Sequence, residues 1–343
     1  MSKPPYRVPL MSEIEAIPHN GFNVVSTFSG CGGSCLGYRI AGFKVLWANE
    51  VFPISQQSYK TNHSSSILDL RDIRNVAVED ILQATGLEQG ELDLFDGSPP
   101  CTEFSTAGKR EKAWGKTKEH SGITQRVDDL FFEYVRLLDG LQPKTFVAEN
   151  VSGLVKGTAK GYFKIILQAL KDCGYRVEAQ LLDASWLGVP QARQRVIFVG
   201  VRNDLNKSPV FPKPLPYQYT LHDAIRVNNE RFRIDEDTRL SPFYVKMWHE
   251  CQTTKNKQHP RYFSWAVNMW HKPSHTITTH ESTWLHPDEP RKFSIDELKR
   301  ICAFPDDFIS VGSYEEQYGR LGNSVPPMMM YHIASAIRDN VLQ

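Results

Sequence analysis

Short apolar runs alternate with amphipathic stretches through the first 200 of this chain's 343 residues. Apolar side chains recur at helical spacing around residues 127–138 and 163–170. Strands that alternate with helices favour an α/β fold with a doubly wound, mostly parallel sheet. The runs that predict buried strands are residues 22–28, 43–48, 92–95, 145–148, 177–182 and 196–201.

The alternation stops near residue 202. Prolines crowd residues 209–216, and seven of the 11 histidines and four of the 7 tryptophans follow before residue 290. The histidines show no recurring metal-ligand spacing, so we expect an aromatic surface rather than a metal site. This segment is predicted to be a second, smaller domain of irregular structure. After it, residues 294–303 predict a helix and residues 318–327 a turn rich in glycine and proline.

Composition excludes some classes of protein. No apolar run approaches the roughly 18 residues of a membrane span, and the first twenty residues lack the apolar core of a signal peptide. The cysteines form no Cys-x-x-Cys pair, which is typical of reduced thiols. We therefore expect a cytoplasmic protein with no membrane partner and no metal. The net charge of +1 does not decide for or against nucleic acid.

One cysteine stands out from the others. Cys101 follows a Gly-Ser-Pro-Pro turn directly after an apolar strand, and the prolines restrict the backbone ahead of the thiol. A rigidly held thiol at the mouth of a site suits a nucleophile, although a buried core cysteine is the alternative. A long polar loop, residues 102–126, comes next and is rich in lysine and arginine. It is either a lid over a phosphate backbone or a solvated loop.

A glycine-rich turn, residues 28–33, follows the first predicted strand. Glycines there let backbone amides approach a ligand at a helix N-terminus. Glu50 ends the second strand about 20 residues later, where a carboxylate can bind ribose hydroxyls. Asp72 and Ile73 pair a polar acceptor with an apolar surface, as an adenine ring requires. These residues predict an adenosine-containing cofactor, either a nicotinamide or S-adenosylmethionine; the glycine spacing differs from Gly-x-Gly-x-x-Gly.

Charged residues follow two further strands. Glu149 ends the strand over residues 145–148, and carboxyl ends of parallel strands share one crevice, so we expect it near Cys101. Arg193 and Arg195 lead into the strand at 196–201, where alternate residues share a side. They suit either an anion clamp or a solvated strand end.

These motifs together resemble the cytosine-5 DNA methyltransferase family. Seven motifs occur in the family's order over residues 22–202 and 291–343. In one-letter code they are FSGCGG, NE, DI, GSPPC, ENV, QARQR and GNSVPP.

The resemblance implies a Rossmann-like methyltransferase fold with four parts. They are an N-terminal extension (1–21), a catalytic domain that binds S-adenosylmethionine (22–202), a target-recognition domain (203–290) and a return of the chain to the catalytic domain (291–343).

The resemblance also implies individual roles. Cys101 is the nucleophile on cytosine C6, Glu149 binds the base, and Arg193 and Arg195 contact the base or a neighbouring phosphate. The implied cofactor residues are Phe28, Gly30, Gly32, Gly33, Glu50, Val51, Asp72, Ile73, Ser98, Pro100, Leu130, Asn323 and Val325.

The implied reaction transfers a methyl group to C5 of a flipped-out cytosine in a specific double-stranded DNA sequence. The family usually has glutamine after the nucleophile, whereas this chain has Thr102. The resemblance also implies a monomer on DNA, a bacterial, archaeal or viral source, and a cognate restriction endonuclease as a further partner. Alternatives are tRNA methylation by the same fold, a non-catalytic DNA-binding regulator and, more remotely, a nicotinamide oxidoreductase. The Cys-Phe-Thr tripeptide typical of the tRNA branch is absent from the recognition segment, which favours DNA.

Overall fold

The elements of the fold are seen in a computed structural model, which describes residues 3–100, 118–120, 123–125, 130–156, 159–226, 236–259, 261, 266–279 and 284–343. The strands are β1 (Asn23–Thr27), β2 (Lys44–Asn49), β3 (Ile67–Asp69), β4 (Leu94–Gly97), β5 (Lys118–His120), β6 (Ile123–Gln125), β7 (Thr145–Val151), β8 (Tyr175–Asp183), β9 (Gln194–Arg202), β10 (Ala266–Val267) and β11 (Trp284–Leu285). The α-helices are α1 (Met11–Glu15), α2 (Gly33–Ile40), α3 (Pro53–Asn62), α4 (Val78–Thr85), α5 (Leu130–Leu141), α6 (Lys160–Asp172), α7 (Leu221–Ile225), α8 (Pro242–Gln252), α9 (Ile295–Ile301), α10 (Tyr314–Asn323) and α11 (Pro327–Ile337).

Seven of the described strands form one sheet in the order β3-β2-β1-β4-β7-β9-β8. The pairs from β3 to β7 are parallel, whereas β7 and β9 are antiparallel. All six predicted strands are present in this sheet. The α/β fold with a mostly parallel sheet is therefore confirmed.

The core of the sheet domain is aromatic. Phe95, Phe146 and Phe198 are fully buried on the strands, and Phe131 and Tyr134 of α5 pack against them. Burying each such ring stabilises the folded state by about 1.5–3 kcal/mol relative to leaving it in water. The helical periodicity around residues 127–138 and 163–170 is thus explained by the buried faces of α5 and α6.

Gly97 lies where this core meets the end of β4. A Cβ there would come within 2.5 Å of the Tyr134 ring and 2.7 Å of Thr27 Oγ1. Tyr134 is held in place because its hydroxyl lies 3.1 Å from the Val147 carbonyl oxygen, to which it donates. A side chain at position 97 would therefore displace the ring or the strand end.

The predicted turn over residues 318–327 is wrong in its first part. Helix α10 begins at a Ser313 capping box and runs through Asn323. Gly319 and Gly322 are helical; their missing Cβ atoms let the carbonyl oxygens of Thr279 and Thr278 approach to 2.8 and 2.0 Å of the ideal Cβ positions. The glycines thus serve close packing and do not mark a turn.

The chain divides into two compact units. The first joins Met1–Glu15, Asp183–Arg193 and Pro214–Met329, and the second joins Ala16–Leu182, Gln194–Lys213 and Met330–Gln343. This division differs from the predicted domain boundaries, because residues 1–15, 183–193 and 291–329 group with most of the predicted recognition segment. The functional domain boundaries stay a prediction.

The N-terminal residues of the first unit contact its C-terminal part. Tyr6 donates a 2.6 Å hydrogen bond to the Arg300 carbonyl, and Met11 donates its amide to Asp307 at 2.9 Å. These contacts explain why residues 1–15 belong to this unit. Among the described residues, no helix is long and apolar enough to cross a membrane.

Candidate active site

Glu149 and Arg195 form an ion pair in the second unit. Arg195 Nε lies 2.8 Å from Glu149 Oε1, and the two side chains are only 14% and 11% exposed. Antiparallel pairing of β7 and β9 brings them together, because Val151 is the register partner of Arg195. Burial lowers the pKa of the Arg195 guanidinium, and the Glu149 charge opposes that shift. The pair thus presents an oriented carboxylate at the carboxyl end of a buried strand.

The turn ahead of the predicted nucleophile is anchored to the same strand. Asn150, the neighbour of Glu149, donates from Nδ2 to the Pro99 carbonyl at 3.3 Å. Asn150 is 2% exposed, and its Oδ1 accepts from the Val151 amide at 2.9 Å. Ser98 and Pro100 flank Pro99 and are half-buried. Cys101 itself lies outside the described residues.

The glycine-rich turn closes on Glu50. Gly30 donates its amide to Glu50 Oε2 at 2.8 Å, and Phe52 donates its amide to Glu50 Oε1 at 2.8 Å. Burial raises the pKa of Glu50, and these amides together with that of Val51 oppose the rise. Each carboxylate oxygen can accept a second hydrogen bond. Glu50 is therefore held in place while keeping capacity for ligand hydroxyls.

Two glycines of this turn lie in the left-handed backbone region. Gly30 has φ +57° and Gly32 has φ +95°. Gly32 is the N-cap of α2, which begins at Gly33, so the first amides of the helix face the turn. The predicted helix N-terminus after the first strand is present.

An apolar cluster lies beside the turn. Ile73 and Leu130 are buried in the main core of the sheet domain, and the partly buried Phe28 of the turn packs against this core. Phe28 has φ +55°, a conformation that costs a non-glycine residue about 1–2 kcal/mol. Asp72 accepts from the Arg74 amide at 3.0 Å and pairs with its guanidinium at 2.9 Å. These four residues place an apolar surface and a fixed carboxylate in the same unit as Glu50.

Three predicted site residues belong to the first unit. Arg193 is 2% exposed, and it donates to the carbonyl oxygens of Gly322 at 2.7 Å, Ile277 at 3.1 Å and Asn323 at 3.3 Å. Asn323 is exposed at the end of α10, and Val325 is buried. Within this unit Arg193 ties the 322–325 segment to residue 277, whereas Arg195 pairs with Glu149. The roles assigned to these residues stay predictions.

Sequence reasoning missed buried polar residues around the site. Asn150, described above, lies inside the ENV motif, and the sequence predicts a role there for Glu149 alone. Asp96 is 2% exposed within β4, and His63 is 6% exposed under the glycine turn. A charged residue inside an apolar strand is the signal for Asp96, since burying a carboxylate is costly. His63 carries no comparable signal in the sequence.

Most of the predicted basic loop lies outside the described residues. This includes Thr102 and most of its lysines and arginines. Within the loop, β5 and β6 pair antiparallel, with His120 opposite Ile123. No group of three or more potential metal ligands was found among the described residues.

The sheet, the glycine turn and the carboxylate at a strand end are those of a Rossmann-like fold with a ligand site at the strand ends. The sequence matches the model of the C-5 cytosine-specific DNA methylase family over residues 22–339. The chain belongs to this family.

Curated relatives agree with the family. The type II methyltransferase M.NgoPII of Neisseria gonorrhoeae is 30% identical, covering 94% of this chain and 97% of the relative. M.MthTI of Methanothermobacter thermautotrophicus is 31% identical, with 93% and 98% covered. M.Bsp6I of Bacillus sp. strain RFL6 is also 31% identical, with 93% and 99% covered.

Solved structures share the fold. A putative DNA modification methyltransferase encoded within an E. coli prophage has a TM-score of 0.73 at 20% identity, covering 94% of this chain and 100% of the other. A DNMT2 mutant of Spodoptera frugiperda has a TM-score of 0.67 at 18% identity, with 94% and 100% covered. At these identities the likeness concerns the fold alone.

Proposed function

We propose that this protein is a DNA (cytosine-5-)-methyltransferase that modifies a cytosine within a specific duplex sequence. The carrying observation is the joint anchoring of Glu149 and the Pro-Pro turn on β7. Arg195 orients Glu149, and Asn150 holds Pro99 two residues ahead of Cys101. A carboxylate and a thiol at one strand end match the chemistry that cytosine requires.

The described residues fit S-adenosylmethionine. Glu50 keeps acceptor capacity for ribose hydroxyls, and a Cβ at Gly30 would meet nothing within 4 Å, so the turn is open there. The partly exposed Phe28 supplies apolar surface for adenine, and Ile73 and Leu130 belong to the core on which it packs. We assign the remaining cofactor positions, including Asn323 and Val325, from the motif order. When bound, S-adenosylmethionine supplies a methyl group on a positively charged sulfonium.

Cytosine C5 is a poor nucleophile, so the protein's residues must activate it. The Cys101 thiolate forms a bond to C6, and the ring electrons move towards C5 and N3. Glu149 accepts a hydrogen bond from the amino group and, through a proton on its other carboxyl oxygen, donates one to N3 as that charge develops, while Arg195 keeps the side chain in place. After methylation, water takes the C5 proton, the Cys101–C6 bond breaks with its electron pair leaving on sulfur, and the aromatic ring is restored. C6 is inaccessible in a stacked duplex, so the base must be flipped out.

A labelling assay tests this function directly. Protein, methyl-labelled S-adenosylmethionine and mixed-sequence duplex DNA should yield 5-methylcytosine, and Cys101→Ser should abolish it. Cys173→Ser is the matched control, because it makes the same substitution at a cysteine that follows α6 and belongs to no proposed site. Product formation by Cys101→Ser would refute the covalent mechanism.

The substrate preference needs a separate comparison. We propose duplex DNA, which the family match and the relatives' type support. Transfer to tRNA that exceeds transfer to duplex DNA would instead identify the RNA-methylating alternative. Failure to turn over with either substrate, together with tight DNA binding, would identify a regulator.

We further propose a cytoplasmic enzyme that acts as a monomer on DNA, with a cognate restriction endonuclease as its biological partner. The relatives' designation as type II methyltransferases supports the last point. Bisulfite sequencing of DNA from an expressing host will give the recognised sequence. An endonuclease that cleaves this sequence only when it is unmethylated is the expected partner.

A further inference from the structure

Asp96 is a buried carboxyl group that the proposed chemistry does not use. It lies on β4, opposite Ser26 of β1, and five residues before Cys101. Ser26 Oγ donates to Asp96 Oδ2 at 2.8 Å, and the Tyr38 hydroxyl donates to Asp96 Oδ1 at 2.9 Å. In the described part of the chain, no lysine, arginine or histidine contacts this carboxyl group. Two neutral hydroxyls are therefore its side-chain partners.

A chain of hydroxyl groups connects Asp96 to the glycine-rich turn. Ser29 lies inside the turn, and its hydroxyl is 3.2 Å from Ser26 Oγ and 3.1 Å from the Ser26 carbonyl oxygen. Both serine hydroxyls also hydrogen-bond to the Cys35 thiol at the start of α2. One buried network thus joins the turn, the first helix and the strand that leads to the nucleophile.

Among the ionisable groups of this network, Asp96 is the one whose pKa lies near neutral pH. Burial raises its pKa to about 7, and the charge of Glu149 on β7 adds to the rise, against the two hydroxyl donors. The other ionisable groups that act on it are Tyr38 and Cys35 of α2, Tyr59 of α3 and Tyr134 of α5. Burial raises the pKa of each of them, so they stay neutral.

We propose that Asp96 is a positioning residue whose protonation state sets the direction of this hydrogen-bond network and so links the cofactor turn to the strand that leads to Cys101. When ionised, Asp96 accepts from both Ser26 and Tyr38. When protonated, it must donate one hydrogen, and a hydroxyl that had donated must accept. If Ser26 accepts, its hydrogen turns towards Ser29 or Cys35. The inference rests on the proposed function, since the turn matters to activity only if it binds the cofactor.

The ionised state should favour cofactor binding, because it fixes both hydroxyls and because the cofactor's sulfonium is positive. We expect the dissociation constant of S-adenosylmethionine, measured by calorimetry, to fall about 3- to 10-fold between pH 6 and pH 8, the worth of one hydrogen bond. Asp96→Asn cannot ionise, and its affinity should be the same at both pH values.

Two variants sharpen the calorimetry. Tyr38→Phe removes one hydrogen-bond donor to the Asp96 carboxylate, so the midpoint of the pH-dependent change in affinity should move to higher pH. This variant also tests the proposal if Asp96→Asn does not fold. Asp93→Asn is the matched control, because Asp93 immediately precedes the same strand and pairs with Lys144 at 2.7 Å. It should leave the affinity change intact. An unaltered affinity change in Asp96→Asn, or an unmoved midpoint in Tyr38→Phe, would overturn the proposal.

A second readout does not depend on activity. The pKa of Asp96 is about 7 in the folded protein and about 4 in an unfolded chain, so the folded state binds more protons between those values. Stability from this group is present below pH 4 and is lost as pH rises to 7. The urea midpoint of Asp96→Asn relative to wild type should therefore rise between pH 5 and pH 8. An equal difference at both pH values overturns the proposal, whereas absence of DNA methylation alone overturns only the proposed function.

Discussion

Replacement of Gly32 by alanine should damage the glycine-rich turn through two separable effects. The first is backbone strain, because φ at this position is +95°. An L-residue in the left-handed region costs about 1–2 kcal/mol. The second is a steric clash, because the new Cβ would lie 2.0 Å from His63 Nε2, 2.6 Å from its Cδ2 and 2.8 Å from its Cε1.

The His63 ring has little freedom to move away. It is 6% exposed and stacks on Tyr59 with ring centroids 4.3 Å apart. It also hydrogen-bonds to the Cys31 backbone inside the turn. Overpacking of this kind costs about 1–3 kcal/mol. Together the two effects predict that Gly32→Ala loses about 2–5 kcal/mol of unfolding free energy.

Gly30 provides the matched control for the strain alone. Its φ is +57°, and a Cβ there would meet nothing within 4 Å. Gly30→Ala should therefore cost only the strain, about 1–2 kcal/mol. The difference between the two variants measures the clash with His63. Urea unfolding gives the free energies, and calorimetry with S-adenosylmethionine reports whether the turn still binds.

A double-mutant cycle isolates the contact. Adding His63→Ala to Gly32→Ala should recover about 1–3 kcal/mol relative to the sum of the single variants, since the removed ring can no longer clash. Additive effects within about 0.5 kcal/mol, or a Gly32→Ala protein as stable as Gly30→Ala, would refute the reasoning.

Three further outcomes are expected. Asn150→Ala leaves the Pro99 carbonyl without its donor, so we expect the unfolding free energy measured in urea to fall by about 1–3 kcal/mol. We also expect kcat to fall by more than KM for DNA changes. An unchanged kcat would count against a role of the Asn150–Pro99 hydrogen bond in holding the turn before Cys101. Arg193→Lys loses at least one of three charge-assisted hydrogen bonds to carbonyl oxygens, so the unfolding free energy measured in urea should fall by about 1.5–3 kcal/mol. A variant as stable as the wild type would show that a lysine can replace these hydrogen bonds. Burial lowers the pKa of His63 to about 3, so the unfolded chain binds more protons than the folded protein between pH 6.5 and pH 3, and the unfolding free energy should fall as pH drops through that range. In urea titrations at acid pH, His63→Gln should reduce this fall. A fall as steep as that of the wild type would contradict a neutral buried ring.

The sheet was predictable because its buried strands are continuous apolar runs bounded by turn residues. Strand direction was not. The run at 196–201 looks like its parallel neighbours, yet β9 pairs antiparallel with β7, and that direction creates the contact of Arg195 with Glu149. An apolar run carries no information on direction, so the ion pair could not be derived from spacing.

Buried polar contacts were the other limit. The GNSVPP motif looked like a turn, whereas Gly322 lies in a helix so that the Thr278 carbonyl can approach. Asp96 and Asn150 act through partners 70 and 51 residues away in sequence. Local pattern cannot show such partners, although it did identify the motif residues around them.

The strained backbone at Phe28 has a consequence for laboratory evolution. Gln142 also has positive φ, at +49°, but it lies outside every predicted site. Under selection for thermal resistance alone, both positions should drift to glycine or asparagine, which relieve the left-handed conformation. Under selection for methylated DNA, position 142 should drift in the same way while position 28 keeps its aromatic ring. Of these two strained positions, only position 28 would then differ between the two selected libraries. That difference would show how strongly selection for activity keeps the aromatic ring for ligand binding.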